Sequence, residues 1–187
     1  MNSLLATTTA TPVGTPEDVA RAVADLAAQQ AIRNLGAVYS MAVDDHDLDT
    51  VVACFTADGS FERAGTVHQG HDALRSFYRV MMDRYATTLH TVHSHVVSVA
   101  GETATGVITG HGELVLDRTL MMAAYRYEDS YAVHEGRWCF SSRSLSFMYV
   151  VPFEAMATSF GDRRRIRWPE QAWADAELPE SLPSWDR

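Results

Sequence analysis

A phenol and a carboxylate, Tyr39 and Asp44, stand on an otherwise apolar segment, Tyr39-Ser40-Met41-Ala42-Val43-Asp44, with His90, His93, His95 and His111 further along the chain. An ionised carboxylate turned toward a core is costly unless something pairs with it. Histidine is the fitting partner. A carboxylate orients the imidazole, fixes its tautomer and raises its basicity, and a nearby phenol adds a hydrogen-bond donor. The chemistry open to such a set is general-base removal of a proton.

Strict alternation along Leu89-His90-Thr91-Val92-His93-Ser94-His95-Val96-Val97 puts His90, Val92, Ser94 and Val96 on one face and His93, His95 and Val97 on the other. Both faces carry histidine, so periodicity does not choose Asp44's partner, and a bulge would reshuffle the faces. His93 and His95, with His111 and Glu113, compete as metal ligands, but their spacing matches no zinc helix motif and no metal is expected. If Arg143, Ser141 and Cys139 share a face, Arg143 points away from Trp138 and Phe140; turned inward, its guanidinium could hold a developing anion. Met121, Tyr125, Tyr127 and Phe147, with Met122, Tyr131, Met148 and Tyr149, either line an apolar cavity or fill the core. No glycine-rich phosphate loop, nucleophile elbow or Cys/His pair in family spacing is present.

The elements that must position these groups are legible in outline. Thr15-Pro16-Glu17-Asp18 starts a helix: Thr15 caps, Pro16 suits the first position, and the acidic pair favours the positive end of the dipole. Val19, Val23, Leu26, Leu35, Val38 and Ala42 continue it at helical spacing, with a break or exposed turn expected at Gln29-Gln30. Asp44 lies about 140° round the helix from Tyr39, so both reach one cavity if it opens at the helix end. A short helix is expected from Leu48 to Phe55, short strands over Ser60 to Arg63 and Thr66 to Gln69, and a helix from Gly70-His71-Asp72 through Met82. From Thr87 the period changes to two. Strands are expected over Thr88 to Val99, Thr103 to Leu116, Leu120 to Val133 and Arg137 to Val150, joined by short turns as an antiparallel meander. Helices first and long strands afterwards give an α+β domain with helices on one face of a curved sheet.

At 187 residues, with 47% apolar and 21% charged residues, the chain suits a single globular domain. A formal charge of -9 argues against nucleic-acid or anionic-membrane binding and for small-molecule or protein partners. Residues 1–14 read as a disordered leader without signal-peptide character, and no stretch is long and apolar enough for a membrane helix. Cys54 and Cys139 lie in unrelated apolar contexts, which fits free thiols in a reducing cytoplasm. From Pro152 the composition shifts to an arm, residues 152–187, with Arg163-Arg164-Arg165, Arg167, Trp168, Trp173 and Trp185. Its acidic neighbours nearly cancel the arginines, and its tryptophans should dock on the domain or on a second subunit.

Ala31-Ile32-Arg33-Asn34-Leu35 with Tyr39, Val43-Asp44-Asp45-His46-Asp47, and Cys54-Phe55-Thr56-Ala57-Asp58-Gly59 resemble the opening of SnoaL-like proteins of the nuclear transport factor 2 superfamily. Gly70-His71-Asp72-Ala73-Leu74, Leu89-His90, Val99-Ala100-Gly101-Glu102-Thr103-Ala104 and Gly136-Arg137-Trp138 leading to Arg143 extend the resemblance to roughly Ala20 through Val150. It implies a cone-shaped α+β barrel over residues 15–151, in which a curved antiparallel sheet wraps the N-terminal helices round an apolar pocket. The site is similar to those of scytalone dehydratase, bile acid 7α-dehydratase and hexachlorocyclohexane dehydrochlorinase. That similarity selects His90 as the base and Asp44 as its orienter and also matches Tyr39 and Arg143; in the expected mechanism Tyr39 donates a hydrogen bond and Arg143 or His111 stabilises charge. Ser94 departs from an asparagine frequent in the family. The implied activity is that of a cofactor-independent lyase on a small hydrophobic, cyclic, hydroxylated metabolite, with an isomerase, a polyketide cyclase or a non-catalytic binder as alternatives. A homodimer or homotrimer is expected, since one face of the sheet, with Trp138, Phe140 and the arm, needs a cover.

Overall fold

The computed structural model describes Thr8 and residues 14–185; the expected leader lies almost wholly outside the described residues. Helix α1 (Pro16–Asp44) begins where the capping signal puts it, with the Thr15 side chain accepting from the Asp18 N–H. It runs unbroken through Gln29-Gln30, against expectation. Glutamine is a sound helix former, and here the pair is tied into i, i+4 contacts: Gln30 donates to Asn34 at 2.9 Å and Arg33 donates to Gln29 at 3.4 Å. Ile32, Gly36, Tyr39, Ser40 and Ala42 are its buried residues. Val19, Val23 and Leu26 are not covered, at 52%, 60% and 62% exposure, so only the second half of the apolar stripe meets the core.

Helix α2 (Leu48–Ala53) is capped by Asp47, and strand β1 (Phe55–Arg63) follows at once, longer than the alternation suggested. Strand β2 (Thr66–Gln69) and helix α3 (His71–Arg84) precede four long strands: β3 (Thr87–Ala100), β4 (Thr103–Leu116), β5 (Thr119–His134) and β6 (Arg137–Pro152). The six-stranded sheet has the order β2-β1-β6-β5-β4-β3. The long strands form the expected antiparallel meander, but β1 lies parallel to β6, a non-local pairing that periodicity does not reveal. The sheet is curved and unclosed. Its register slips at three single-residue bulges, His93 on β3 and Ser141 and Met148 on β6. Each adds local twist and moves the following residues to the other face.

The main core lies between the helices and the inward face of the sheet, with Ile32, Val51, Leu74, Ile108, Tyr131 and Phe140 almost fully buried. On the outward face a smaller cluster joins Ala124, Tyr149 and Val151 with Met122, Met148 and Met156. After β6 comes a short helix α4 (Met156–Ser159), then an extended arm that bridges back through Ile166 to Val150 and Ala174. The arm's arginines pair with its own acids: Arg165 with Glu180 at 2.7 Å, Arg167 with Asp162 at 2.8 Å and Arg163 with Asp175 at 2.9 Å. Among the described residues no helix is long and apolar enough to cross a membrane.

Candidate active site

The C-terminal end of α1 delivers Asp44 to strand β3. Its Oδ1 accepts from His90 Nδ1 at 2.6 Å and from Thr88 Oγ1 at 3.0 Å, and its Oδ2 accepts from the His90 backbone N–H at 2.7 Å. Burial alone would raise the Asp44 pKa, but the hydrogen bond and charge of His90, helped by Thr88, hold it below the usual carboxylate value. An ionised carboxylate only accepts, so the proton of neutral His90 sits on Nδ1 and the lone pair on Nε2. His90 and Asp44 side chains are 13% and 15% exposed, sheltered yet reachable.

His90 lines a cavity of ≈ 80 Å³ between the inward face of the sheet and helices α1 and α3. Its walls are largely aromatic and aliphatic, with Phe61, Phe77, Tyr78, Leu145 and Phe147 among them. Tyr39, Tyr125, Tyr127 and Phe147 reach it, whereas Met121 is fully buried in the core and not among the lining residues. Tyr39 is less free than expected. Its hydroxyl shares a 2.7 Å hydrogen bond with that of Tyr78, and burial pushes both phenols well above their usual pKa.

Tyr125 is the phenol closer to His90, with ring centroids 5.8 Å apart. It is 2% exposed, and no hydrogen bond to another described residue engages its hydroxyl. Gly110 makes the position accessible: a Cβ there would stand 2.4 Å from the Tyr125 oxygen and 2.5 Å from the Thr91 carbonyl. Gly112, paired with His90 across the strands, also lines the cavity. The Tyr125 hydroxyl thus occupies the space over Gly110, while the missing side chain at Gly112 leaves the cavity wall open beside His90.

Arg143 and His111 do not join this group. The Ser141 bulge brings Arg143 to the same inward face as Phe140, not the opposite one, and its guanidinium lies 3.8 Å from the Phe140 ring centroid. Rings of Tyr39 and Tyr127 stand at 4.3 and 4.1 Å, and Asp129 accepts two bonds from it at 2.8 Å each. Walled in and neutralised, Arg143 is not among the cavity-lining residues. His111 lies on the outward face, in hydrogen-bond contact with His93 and beside Tyr149. The His93 bulge also separates His93 from His95, so the two cannot act as one ligand pair. Among the described residues no three His, Cys, Asp or Glu side chains group as a metal site.

His95 faces inward because of the same bulge. Its Nε2 donates to Tyr131 at 2.9 Å, and Tyr131 donates to Asp129 at 2.8 Å, forming a buried chain that ends on Arg143. Burial pushes the His95 pKa down to about 4, with Asp129 opposing the shift and Arg143 and Arg33 adding to it. Sequence reasoning missed Asp129, although Tyr125, Tyr127, Asp129 and Tyr131 share one strand parity and mark it as an inward carboxylate. Thr88 carried a similar signal, two residues before His90. Arg63, Tyr85 and Trp168 also line the cavity, and nothing in their local pattern announced it.

The SnoaL-like domain family matches residues 24–144. No curated protein matches the sequence. Among solved structures, the hexachlorocyclohexane dehydrochlorinase LinA-type3 of Novosphingobium barchaimii is similar with a TM-score of 0.63 at 19% identity, covering 69% of this chain and 92% of its own. A Novosphingobium aromaticivorans protein described as a scytalone dehydratase gives 0.65 at 17% identity, covering 79% and 97%. Another from that organism, described as an aromatic ring hydroxylase, gives 0.64 at 25% identity, covering 68% and 94%. At 19% and 17% identity the first two likenesses establish the fold alone.

Proposed function

This chain belongs to the SnoaL-like domain family, and from that premise we propose that it is a cofactor-independent lyase acting on a small hydrophobic, cyclic, hydroxylated metabolite. The observation that carries the proposal is the triple anchoring of Asp44 by His90 and Thr88, which engages His90 Nδ1 and leaves its Nε2 as the ring nitrogen available at an apolar cavity. A molecule that only bound a ligand would gain little from a sheltered carboxylate–histidine pair.

In this reading His90 Nε2 removes a proton from the carbon beside the one bearing the hydroxyl. The C–H electron pair becomes the new double bond, the C–O bond breaks, and the imidazolium returns the proton to the departing oxygen, which leaves as water. Asp44 stabilises the imidazolium. The hydrogen-bond donor to the departing oxygen is Tyr125 more than Tyr39, because Tyr39 already bonds Tyr78. Arg143, held by Asp129, shapes the cavity wall from behind Tyr39 and Tyr127, and His111 takes no part. The same proposal includes a cytoplasmic location, in keeping with two free cysteines, and assembly as a homodimer or homotrimer.

The test is exchange of substrate carbon-bound hydrogen with deuterated solvent, together with turnover, in wild type, His90→Ala and Asp44→Asn. Loss of a positioned base is expected to cost about 10²- to 10⁴-fold. Unchanged turnover by a folded His90→Ala protein would remove the central step; exchange without water loss would favour an isomerase or cyclase.

A further inference from the structure

The cavity has a second polar end. Arg63, the last residue of β1, lines it and is the only arginine or lysine among its described lining residues. The guanidinium carbon lies 4.9 Å from the Phe147 ring centroid and 5.0 Å from that of Trp168. Trp168 is 6% exposed and comes from the C-terminal arm, beyond the stretch that the family matches. Tyr85 stands close enough for the Arg63 charge to oppose the upward push of burial on its phenol.

No carboxylate is among the described residues that line the cavity with Arg63. The buried arginines Arg143, Arg165 and Arg167 each bond a carboxylate, of Asp129, Glu180 and Asp162. Arg63 is half-buried, packed on two aromatic rings, and ion-paired with no described residue. A guanidinium stays charged in any pocket and binds planar oxyanions through two parallel hydrogen bonds. Its position relative to His90 also matters: β1 and β3 are four places apart in the strand order, and the curved sheet brings both side chains to one cavity. A ring lying against Phe61, Phe77 and Phe147 could present one end to each.

Deepening the proposed function, on which its catalytic meaning rests, we infer that Arg63 is an anion subsite and that the substrate is a cyclic carboxylic acid, its carboxylate on Arg63 and its reacting carbon at His90. Trp168 is the wall that keeps the guanidinium flat and shields the ion pair from water. The arm thus contributes to substrate selection, and the choice between an acid and a neutral ring is made by this one cation.

Calorimetric titration of the full-length protein near pH 7, where carboxylic acids are ionised, tests this with benzoate and cyclohexanecarboxylate against benzamide and cyclohexanecarboxamide. Wild type should bind the acids at least about tenfold more tightly than the amides. Arg63→Met should abolish that preference while leaving amide binding unchanged, and Arg63→Lys should keep part of it. His90→Ala should retain it in full, so that a failure of the base assignment and a failure of the anion subsite are read separately. Equal affinity for acid and amide in wild type, no acid binding at millimolar concentration, or a preference that survives Arg63→Met would each overturn the inference. So would an Arg63→Met protein that only melts earlier, which would make Arg63 a staple for the arm.

Discussion

His90 and His95 both face inward from β3, and their surroundings drive them to different work. His90 has a carboxylate on Nδ1, whereas His95 has a phenol on Nε2 and is kept neutral by burial, its pKa lowered from 6.5 to about 4. The consequence for stability has a definite sign. Below pH 6.5 the unfolded chain takes up a proton at this position that the folded chain refuses until about pH 4, so stability falls as pH drops through that window. Replacing His95 by glutamine should flatten the decline of Tm between pH 6.5 and 4, even if it lowers Tm at neutral pH; an unchanged slope would place the acid sensitivity elsewhere. Asp44 acts in another window. Its lowered pKa contributes stability that is present above its ordinary value of 3.8 and is lost only as pH falls further, so the two groups separate in an acid titration.

Whether His90 or the pair His93 and His95 faces the core was not decidable from alternation, and a single residue of β3 makes neither grouping right. The His93 bulge lets His90, Val92, His95 and Val97 all face inward, a combination forbidden to a regular strand. The segment is also weakly specified, since Val92, His93 and Ser94 are all exposed at the sheet edge and provide no apolar parity to read. Ser141 has the same effect on β6, where it turns Arg143 onto the face of Phe140. By contrast, the start of α1, β2 and β4, and the length of the meander, were legible because capping, turn and alternation signals agreed there. The Asp44–His90 pair was legible only through family resemblance, as its partners are far apart in sequence. An element-scale test follows from the bulge. Inserting one residue after Ser94 should turn His95 and Val97 away from the core or break their pairing, with loss of turnover and a large fall in unfolding free energy, because the single bulge at His93 absorbs only one extra residue. His93→Ala, which keeps the residue count, should stay within about 0.5 kcal/mol of wild type in urea unfolding. Equal effects of the two changes would mean that β3 tolerates a shift of register.

Assembly was expected from an apolar sheet face bearing Trp138, Phe140 and the arm, and the distribution of surface changes that argument. Phe140 is fully buried, and much of the outward face is already occupied by Met122, Met148, Met156 and Tyr149, with Phe160 against Tyr149. A regular uncovered apolar stripe lies instead on the first half of α1, where Val19, Val23 and Leu26 recur at helical spacing and are each more than half exposed. Such a stripe has the periodicity of a helix that packs on a second helix, and the same stripe on another copy of the chain would complement it by two-fold symmetry. A net charge of -9 disfavours close association of copies in general, so contact through an uncharged stripe is where association costs least. Sedimentation should therefore give a dimer mass for wild type and a monomer for the double variant Val23→Glu, Leu26→Glu. The cavity is built from one chain, so the monomeric variant should keep its affinity for the ring acids and amides that probe Arg63. A monomeric wild type would refute the assembly, and a dissociated variant that lost ligand binding would show that the partner copy supports the cavity after all.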